Sequence, residues 1–250
     1  MSKVRIYINP REIKSLIKID KKDVLHKIRN VLRLKKGESI YVFDGQGREY
    51  LYQIKEVRKD RVLIEEREKK REEGFPERRL ILGFPLLREE KISIILQKAT
   101  ELGVTEVCPF ICQYSLTKMV SASKIERWKK IVLEATRQSE RLWVPQISRV
   151  LSFKEVLHKE AEGRVVFSKE GKYFREWPSK EVSSVFVVVG PEGDFSPQEV
   201  DEFKRAGFKF WRLSPHILRT ETAAILGVGL IRYFQELVLK SKGRLKNDEG

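Results

Sequence analysis

The amino-acid sequence predicts an α/β protein in two parts, a small β-rich part over residues 1–72 and a larger domain with a parallel sheet over residues 73–250. Residues 185–189 are five apolar residues in a row, mostly β-branched, which is typical of a strand buried on both faces. Strand and helix patterns alternate after residue 78, as in parallel α/β domains. Short segments of β character dominate the first 66 residues instead.

The N-terminal part is predicted to form a small barrel with a basic rim. Its β segments cover residues 5–8, 39–43, 50–54 and 61–64, and Asp-Gly-Gln-Gly at residues 44–47 predicts a hairpin. We expect one amphipathic helix from Asp23, with Val24, Ile28, Val31 and Leu32 on its inner face. The charged stretch 65–77, which contains Gly74 and Pro76, is the expected linker.

The C-terminal part carries start and stop signals for its helices. Strands are predicted at residues 80–84, 107–111, 165–167, 185–189 and 208–213. Three capping boxes predict helix starts: Ser123 with Glu126, Ser152 with Glu155, and Ser196 with Glu199. Three glycines predict helix ends: Gly103, Gly163 and Gly207.

The first candidate site follows the strand at residues 185–189. Gly190-Pro191-Glu192-Gly193 breaks this strand, and Pro197 begins the next helix. In open α/β sheets ligands bind at the carboxyl ends of strands, and glycines let the backbone approach a ligand closely. We therefore expect a small-molecule site in this loop.

A second candidate site is the sequence Leu-Ser-Pro-His-Ile-Leu-Arg-Thr-Glu-Thr-Ala-Ala at residues 213–224. It runs into a helix that is apolar around most of its circumference as far as Val238, which is typical of burial against the sheet or a second subunit. Thr220 is the expected N-cap. The N–H groups after it could hold an electron-rich ligand group, or Thr220 could simply cap the helix.

The chain is strongly basic, with 51 Lys and Arg against 36 Asp and Glu and a net charge of +15. Residues 1–72 hold 21 basic and 12 acidic residues (+9), so the excess is concentrated in the shorter part. This favours a polyanionic partner such as nucleic acid, whereas a thermophile's charge networks would not explain the imbalance. Arg29, Arg33 and Lys36 are the candidates for phosphate contacts, unless they form only a solvated face.

Cys108 and Cys112 have no second Cys or His pair at zinc spacing, so we expect buried reduced thiols and no metal site. The sequence shows no signal peptide and no apolar run of about 18 residues. We therefore expect a cytoplasmic protein without a membrane segment.

The two candidate-site motifs, one at residues 190–195 and one at residues 218–223, together resemble the signatures of the ribosomal small subunit uridine N3-methyltransferases (RsmE) of the SPOUT superfamily. The matching residues are Gly190-Pro191-Glu192-Gly193 with Phe195, and Leu218-Arg219-Thr220-Glu221-Thr222-Ala223. Matches at residues 31–33, 43–45, 97–104 and 126–139 extend the resemblance over nearly the whole chain. The family's usual Gly is Asp194 here, and its usual Gly and Arg before Ile-Leu-Arg are Ser214 and His216.

The resemblance implies a homodimer that methylates N3 of a uridine in 16S ribosomal RNA with S-adenosylmethionine. It also implies a PUA-like N-terminal barrel and a C-terminal trefoil knot, which patterns alone would not suggest because knots are almost absent from folds. The cofactor would lie between three loops. The implied contacts are Phe167, Ser168, Gly190, Pro191, Glu192, Gly193, Leu213, Ser214, Ile217, Leu218, Arg219, Thr222 and Ala223.

Two of these residues are candidates for catalysis. Arg219 could hold a uracil carbonyl or a phosphate, or it could form a structural ion pair with Glu192 or Glu221. Glu192 could be the base that assists loss of the N3 proton, or it could accept N–H bonds from its own loop. Arg137 and Arg141, one turn apart near the end of their helix, could grip RNA or be solvated surface residues.

Other functions remain open on the sequence. A non-enzymatic RNA-binding protein would explain the charge and the barrel but not the glycine loops. A nucleotide-dependent enzyme would explain a Gly-rich loop, yet the chain has no Walker sequence and no Gly-x-Gly-x-x-Gly followed by an acidic residue. A SPOUT methyltransferase acting on another RNA position is a further alternative.

Overall fold

A computed structural model of the chain describes residues 4–173 and 182–247, with side chains described up to residue 237. The chain divides into two compact units. The N-terminal unit consists of Met1–Phe75 and Thr136–Val144, and the C-terminal unit of Pro76–Ala135 and Pro145–Gly250. The short segment at residues 136–144 therefore belongs to the N-terminal unit although it is distant in sequence, which the sequence patterns do not predict.

The N-terminal unit contains a five-stranded mixed sheet with the order β1-β3-β4-β5-β2. The strands are β1 (Arg5–Tyr7), β2 (Leu16–Ile19), β3 (Ser39–Phe43), β4 (Arg48–Val57) and β5 (Val62–Glu72). β1 is parallel to β3, and the other pairs are antiparallel. The predicted hairpin between β3 and β4 is confirmed, because Asp44 Oδ1 accepts hydrogen bonds from the N–H groups of Gln46 and Arg48.

The expected linker at residues 65–77 is wrong over its first part, because β5 continues to Glu72. Charged side chains do not prevent strand formation here, since they pair with charges on the neighbouring strand β4. Lys55 lies 3.0 Å from Glu65, and Arg48 lies 2.8 Å from Glu72. Opposite charges across a sheet stabilise the pairing of strands.

The predicted helix from Asp23 is interrupted. It consists of α1 (Lys22–His26) followed by a π-helical turn over Lys27–Val31. A π turn closes one residue later than an α turn, which changes the face that the following side chains occupy. The expectation that Val31 faces inward is therefore wrong: its side chain is 63% exposed, while Leu25 and Ile28 lie in the core.

A buried ion pair connects the strands of the N-terminal unit to residues 136–144. Arg5 Nε lies 2.6 Å from Glu49 Oε1, and the two side chains are 2% and 0% exposed. The Arg5 guanidinium also donates hydrogen bonds to the carbonyl oxygens of Arg137 at 2.8 Å and Arg141 at 3.1 Å. Because the last carbonyls of a helix carry partial negative charge, a cation at this position stabilises the helix end at Gln138.

The C-terminal unit contains a seven-stranded sheet with the order β12-β10-β11-β6-β7-β8, and β9 pairs with β7. The strands are β6 (Arg79–Pro85), β7 (Glu106–Ile111), β8 (Gln146–Ile147), β9 (Leu151–Ser152), β10 (Gly163–Tyr173), β11 (Ser184–Val189) and β12 (Lys209–Arg212). All of these pairings are parallel. Residues 185–189 are completely buried, so the prediction of a strand covered on both faces is confirmed.

The helices of this part of the chain are α2 (Glu89–Glu101), α3 (Ala122–Gln138), α4 (Phe153–Leu157), α5 (Pro197–Arg205) and α6 (Thr220–Asn247). The capping boxes at Ser152 and Ser196 are confirmed. The one at Ser123 is wrong, since α3 already begins at Ala122. Val238, the last predicted apolar position of α6, lies outside the described side chains.

Both cysteines are free and buried, as predicted. Burial, and secondarily the Glu106 carboxylate, raises the pKa of the Cys108 thiol to about 12, and burial also raises the pKa of Cys112. The thiols therefore stay protonated and weakly nucleophilic at neutral pH. Within residues 4–173 and 182–247, no cluster of His, Cys, Asp and Glu could hold a metal ion, and no helix is long and apolar enough to cross a membrane.

Candidate active site at the carboxyl edge of the parallel sheet

Three chain segments, a bulge within β10 and the loops that follow β11 and β12, meet at one edge of the sheet because these strands are parallel neighbours. Phe167 of β10 is in register with Val189 of β11 and with Trp211 of β12. The ladder between β10 and β12 is interrupted after Phe167, where β10 has a bulge. The chain segments that follow these three residues therefore start side by side, at the edge where α/β proteins bind ligands.

The three segments surround an open cavity of about 770 Å³, including solvent at its mouth. The lining residues that the sequence also proposes are Phe167, Ser168, Gly190, Pro191, Glu192, Gly193, Leu213, Ser214, Ile217, Leu218 and Ala223. Arg219 and Thr222, which the resemblance also implies, are not among the lining residues. The wall further includes Lys169, Asp194, Arg212, His216 and Thr220. The roles of all these residues in ligand binding stay predictions.

The loop at residues 190–195 is a tight turn, and its backbone geometry explains why an aspartate is tolerated at position 194. The Asp194 N–H donates a hydrogen bond to the Pro191 carbonyl at 3.0 Å. Asp194 has a φ of 64°, in the left-handed region that glycine adopts most easily and that Asp and Asn tolerate better than other residues. Asp can therefore stand where the resembling family has glycine without a change in backbone shape. Its Oδ1 accepts a hydrogen bond from the Phe195 N–H at 2.9 Å.

Phe195 anchors the end of this loop in the hydrophobic core. Its ring lies 6.3 Å from that of Phe110 in a stacked arrangement and 4.9 Å from that of Phe203, edge to face. The helix α5 starts at the next residue but one, and its capping residue Glu199 also accepts a hydrogen bond from the Gln113 N–H at 2.7 Å. The loop is thus held at its base by packing and by a buried carboxylate.

A hydrogen bond connects two of the loops directly. Thr220 is the first residue of α6, not the expected N-cap, and its hydroxyl donates to the Gly190 carbonyl at 3.0 Å. Thr220 is 4% exposed, so water does not compete freely for this bond. The start of α6 and the loop at residues 190–193 are therefore fixed relative to each other.

Arg212 shapes the third loop from the end of β12. Its guanidinium donates hydrogen bonds to the carbonyl oxygens of Ser214 at 2.9 Å and Pro215 at 2.8 Å. The His216 N–H donates to Ser214 Oγ at 3.0 Å, which closes a local turn. Ser214 and His216, the two departures from the resembling family, are thus part of an ordered loop with its own hydrogen bonds.

The charged residues at the cavity exclude the alternative that Arg219 forms a structural ion pair with Glu192 or Glu221. Within the described parts of the chain, Arg219 is exposed and forms no ion pair with Glu192 or Glu221. Lys91 of α2 forms both pairs instead, 2.6 Å from Glu192 Oε1 and 3.4 Å from Glu221 Oε2. The hydrogen bond from Lys91 is the main cause that lowers the pKa of Glu192, with smaller effects of the Arg88 and Arg219 charges. Glu192 is therefore ionised at neutral pH.

The candidates for RNA binding all lie in the N-terminal unit. Arg33 and Lys36 are exposed, and Arg29 donates a hydrogen bond to the Lys59 carbonyl at 2.8 Å. The expectation that Arg137 and Arg141 lie one turn apart on a helix is wrong, because α3 ends at Gln138 and Arg141 lies beyond it. Both arginines are half-buried, and whether they contact RNA stays a prediction.

The chain matches two family models and a group of relatives. The model described as RNA methyltransferase domain matches residues 75–232, and the model described as RNA methyltransferase PUA domain matches residues 19–67. The protein named ribosomal RNA small subunit methyltransferase E of Rickettsia conorii is 31% identical over 236 residues, which cover 91% of this chain and 94% of the relative. The protein of the same name from Bacillus subtilis is 32% identical, with 86% and 89% covered.

Two solved structures are also similar. One is a methyltransferase from Legionella pneumophila in complex with the bound cofactor SAM, with a TM-score of 0.85, 25% identity, and 93% of this chain and 98% of that chain covered. The other is a ribosomal RNA small subunit methyltransferase E from Neisseria gonorrhoeae bound to S-adenosyl methionine, with a TM-score of 0.84 and the same identity and coverage.

We expect Thr220→Val to lower the free energy of unfolding of the C-terminal unit by about 1–3 kcal/mol, because the substitution keeps the shape but removes the donor to the Gly190 carbonyl. Urea denaturation measures this change. Thr117→Val is the matched control, since the Thr117 hydroxyl donates to the Met119 carbonyl and accepts from the Met119 N–H within one exposed turn. Equal destabilisation by the two substitutions would contradict a role of Thr220 in joining the loops.

Proposed function

The chain belongs to the ribosomal RNA small subunit methyltransferase E family, and from this premise we propose that it transfers a methyl group from S-adenosylmethionine (SAM) to N3 of a uridine in 16S ribosomal RNA. The observation that carries the proposal is the convergence of the bulge in β10 and the loops after β11 and β12 on one cavity. A non-enzymatic RNA-binding protein would not require such a cavity.

The cavity fits a ligand with apolar and polar parts. Leu213, Ile217 and Ala223 provide apolar wall, beside the loop backbone at residues 190–193. Among the described residues, a Cβ atom added at Gly193 would have only the Tyr114 ring within 4 Å, at 4.0 Å, so these residues leave the space in front of Gly193 open. Backbone that is exposed towards a cavity can approach a ligand closely. We propose that SAM binds against this loop.

The residues at the cavity also suit the reaction. When bound, SAM supplies a methyl group that is already activated by the positively charged sulfur, so the protein must mainly align the reactants and assist loss of the N3 proton. Arg219 does not line the cavity but directly follows Leu218 of its wall, and its exposed guanidinium would stabilise negative charge developing on a uracil oxygen. Glu192 is ionised and accepts hydrogen bonds, but the hydrogen bond from Lys91 lowers its proton affinity. We therefore favour Glu192 as an acceptor that orients the N3–H group, with water at the open mouth of the cavity taking the proton, over Glu192 as the base.

Gly193→Val should abolish SAM binding and methylation without a loss of thermal stability, since the added side chain fills space that the protein leaves open. Calorimetry measures SAM affinity, and mass spectrometry of nucleosides detects 3-methyluridine after incubation with small ribosomal subunits that lack the modification. Gly74→Val is the control, because a Cβ at Gly74 has no neighbour within 4 Å.

Wild-type SAM affinity in the Gly193 variant would contradict the cavity assignment. A methyl group on another atom of the uracil ring or on another nucleotide would contradict the proposed substrate.

We also propose that residues 1–72 form a PUA-like barrel that binds the RNA, that residues 73–250 form the methyltransferase domain, and that the latter contains a trefoil knot. The PUA family match over residues 19–67 and the net charge of +9 support RNA binding by the first part.

The path of the chain after β12 supports the proposed knot, because α6 returns to pack on β6 and β11. A ribosomal substrate implies a cytoplasmic location. An experimental chain trace would test the barrel and the knot.

Arg33→Glu combined with Lys36→Glu should weaken RNA binding and make it less dependent on salt, because both side chains are exposed cations. If about six phosphates are neutralised in the wild type, the logarithm of its affinity should fall with the logarithm of salt concentration at a slope of roughly −4 to −5, and the variant should lose about 1.5 of this slope. Filter binding at several salt concentrations measures both. Lys98→Glu with Lys204→Glu makes the same charge change in the C-terminal unit, and an equal effect of the two double variants would place the RNA contacts elsewhere.

The outer face of α6 supports the proposed homodimer. Ala224, Val228 and Ile231 are buried, whereas a second stripe of apolar residues lies open to solvent. This stripe consists of Leu226, Leu230, Tyr233 and Leu237, which are 38%, 38%, 60% and 44% exposed. Its spacing of three or four residues places it along one side of the helix. A second copy of the helix would cover it through a twofold interface.

Light scattering should therefore give twice the 29.4 kDa of one chain, and Leu230→Glu with Tyr233→Glu should give the monomer. Leu16→Glu is the control, since Leu16 is a 54% exposed leucine of β2 in the N-terminal unit. A wild-type monomer would exclude the dimer, and a dimer that survives the double substitution would exclude this helix face as the interface.

A further inference from the structure

One lysine contacts carboxylates on two of the three loops around the cavity. Lys91 Nζ lies 2.6 Å from Glu192 Oε1 in the loop after β11 and 3.4 Å from Glu221 Oε2 in the first turn of α6. The Lys91 side chain is 22% exposed, and Glu221 is 15% exposed. The contact with Glu192 raises the pKa of Lys91, so the ammonium is charged throughout the neutral range.

The topology of the sheet explains why Lys91 reaches both loops. β6 and β11 are parallel neighbours, with Val188 in register with Gly83, so their carboxyl ends lie at the same edge. Lys91 is in the first turn of α2, which begins four residues after β6 ends. It therefore lies beside the loop that follows β11 without lining the cavity.

Glu221 depends on this lysine. Its Oε2 atom is buried and accepts no hydrogen bond from any residue that the structure describes. The Lys91 ammonium, at ion-pair distance, is the positive charge that offsets it. Without a cation between them, two carboxylates on adjacent loops would repel each other, and a buried carboxylate without a partner is unstable.

We propose that Lys91 is a positioning residue for methyl transfer: its ammonium holds the loop at residues 190–193 against the start of α6 and so keeps Glu192 in place beside the cavity. The inference rests on the proposed function, because it assigns Lys91 to the same site. Lys91 itself does not line the cavity, and it acts through Glu192 and Glu221.

The same helix provides a matched control. Lys98 of α2 pairs with Glu101 at 2.9 Å, but this pair links two positions of one helix. Its side chains are 43% and 33% exposed, whereas Lys91 and Glu221 are 22% and 15% exposed and Glu192 is 62% exposed. Ion pairs of this kind contribute little, since water and salt screen them. Lys98→Met therefore removes a lysine and a salt bridge from α2 without touching the cavity loops.

The test compares Lys91→Met, Lys91→Arg and Lys98→Met in the full-length protein, with small ribosomal subunits as substrate. We expect kcat to fall by roughly ten- to a hundredfold in Lys91→Met, because misplaced groups in an active site have effects of this size. Lys91→Arg should retain most activity, since a guanidinium can bind two carboxylates. Lys98→Met should match the wild type.

The pH dependence separates positioning of Glu192 from a general effect on stability. The charged groups that face Glu192 are Lys91, Arg88 and Arg219, with Glu221 on the other side of Lys91. Lys91 lowers the pKa of Glu192, so its removal lets that pKa rise. As pH falls, Lys91→Met should therefore lose activity at a higher pH than the wild type, and Lys98→Met should not differ from it.

Three outcomes would overturn the proposal. In the first, Lys91→Met is as active as Lys98→Met. In the second, Lys91→Met loses the same factor at every pH and Lys91→Arg does not restore it. If Lys91→Met melts far below the wild type, the test uses Lys91→Gln in its place. The third outcome is that Lys91→Gln has wild-type activity. Absence of methylation in both the wild type and Lys98→Met would instead contradict the proposed function.

Discussion

The candidate site depends above all on the parallel register of three neighbouring strands. Phe167, Val189 and Trp211 lie at the same level of β10, β11 and β12, so the bulge of β10 and the loops after β11 and β12 begin at one place. The complete burial of residues 185–189 makes this register costly to change, because a shift would move the packed side chains from one face to the other. The packing of the core therefore determines where these segments start.

The loops themselves are irregular, and a few polar contacts define their shape. The Thr220 hydroxyl bonds to Gly190, Arg212 bonds to its own loop, and Lys91 bridges two carboxylates. Thr220 and Glu221 are largely protected from water, which makes their hydrogen bond and ion pair more effective, whereas the Glu192 side chain is 62% exposed. The packed sheet can thus support the glycine-rich loop at residues 190–193, whose backbone remains open towards a ligand.

A buried ion pair holds the segments of the N-terminal unit together. This is the pair of Arg5 and Glu49, in which the guanidinium also binds carbonyl oxygens near the end of α3. One arginine thereby holds two segments that are about 130 residues apart in sequence. This arrangement leaves other cations of the unit, such as Arg33 and Lys36, at the surface, where polyanions can reach them.

The sequence by itself determined the features that arise from short stretches of chain: the buried strand at residues 185–189, the capping boxes at Ser152 and Ser196, the hairpin after Phe43, and the two loop motifs that carry the family resemblance. It could not determine which distant groups would meet. The strand character of residues 65–72, the outward turn of Val31, the segment at residues 136–144 and the pairing of Lys91 in place of Arg219 were decided by the tertiary structure. The physical reason is that periodicity and capping act between residues a few positions apart, whereas ion pairs and strand partners depend on which elements the fold makes neighbours.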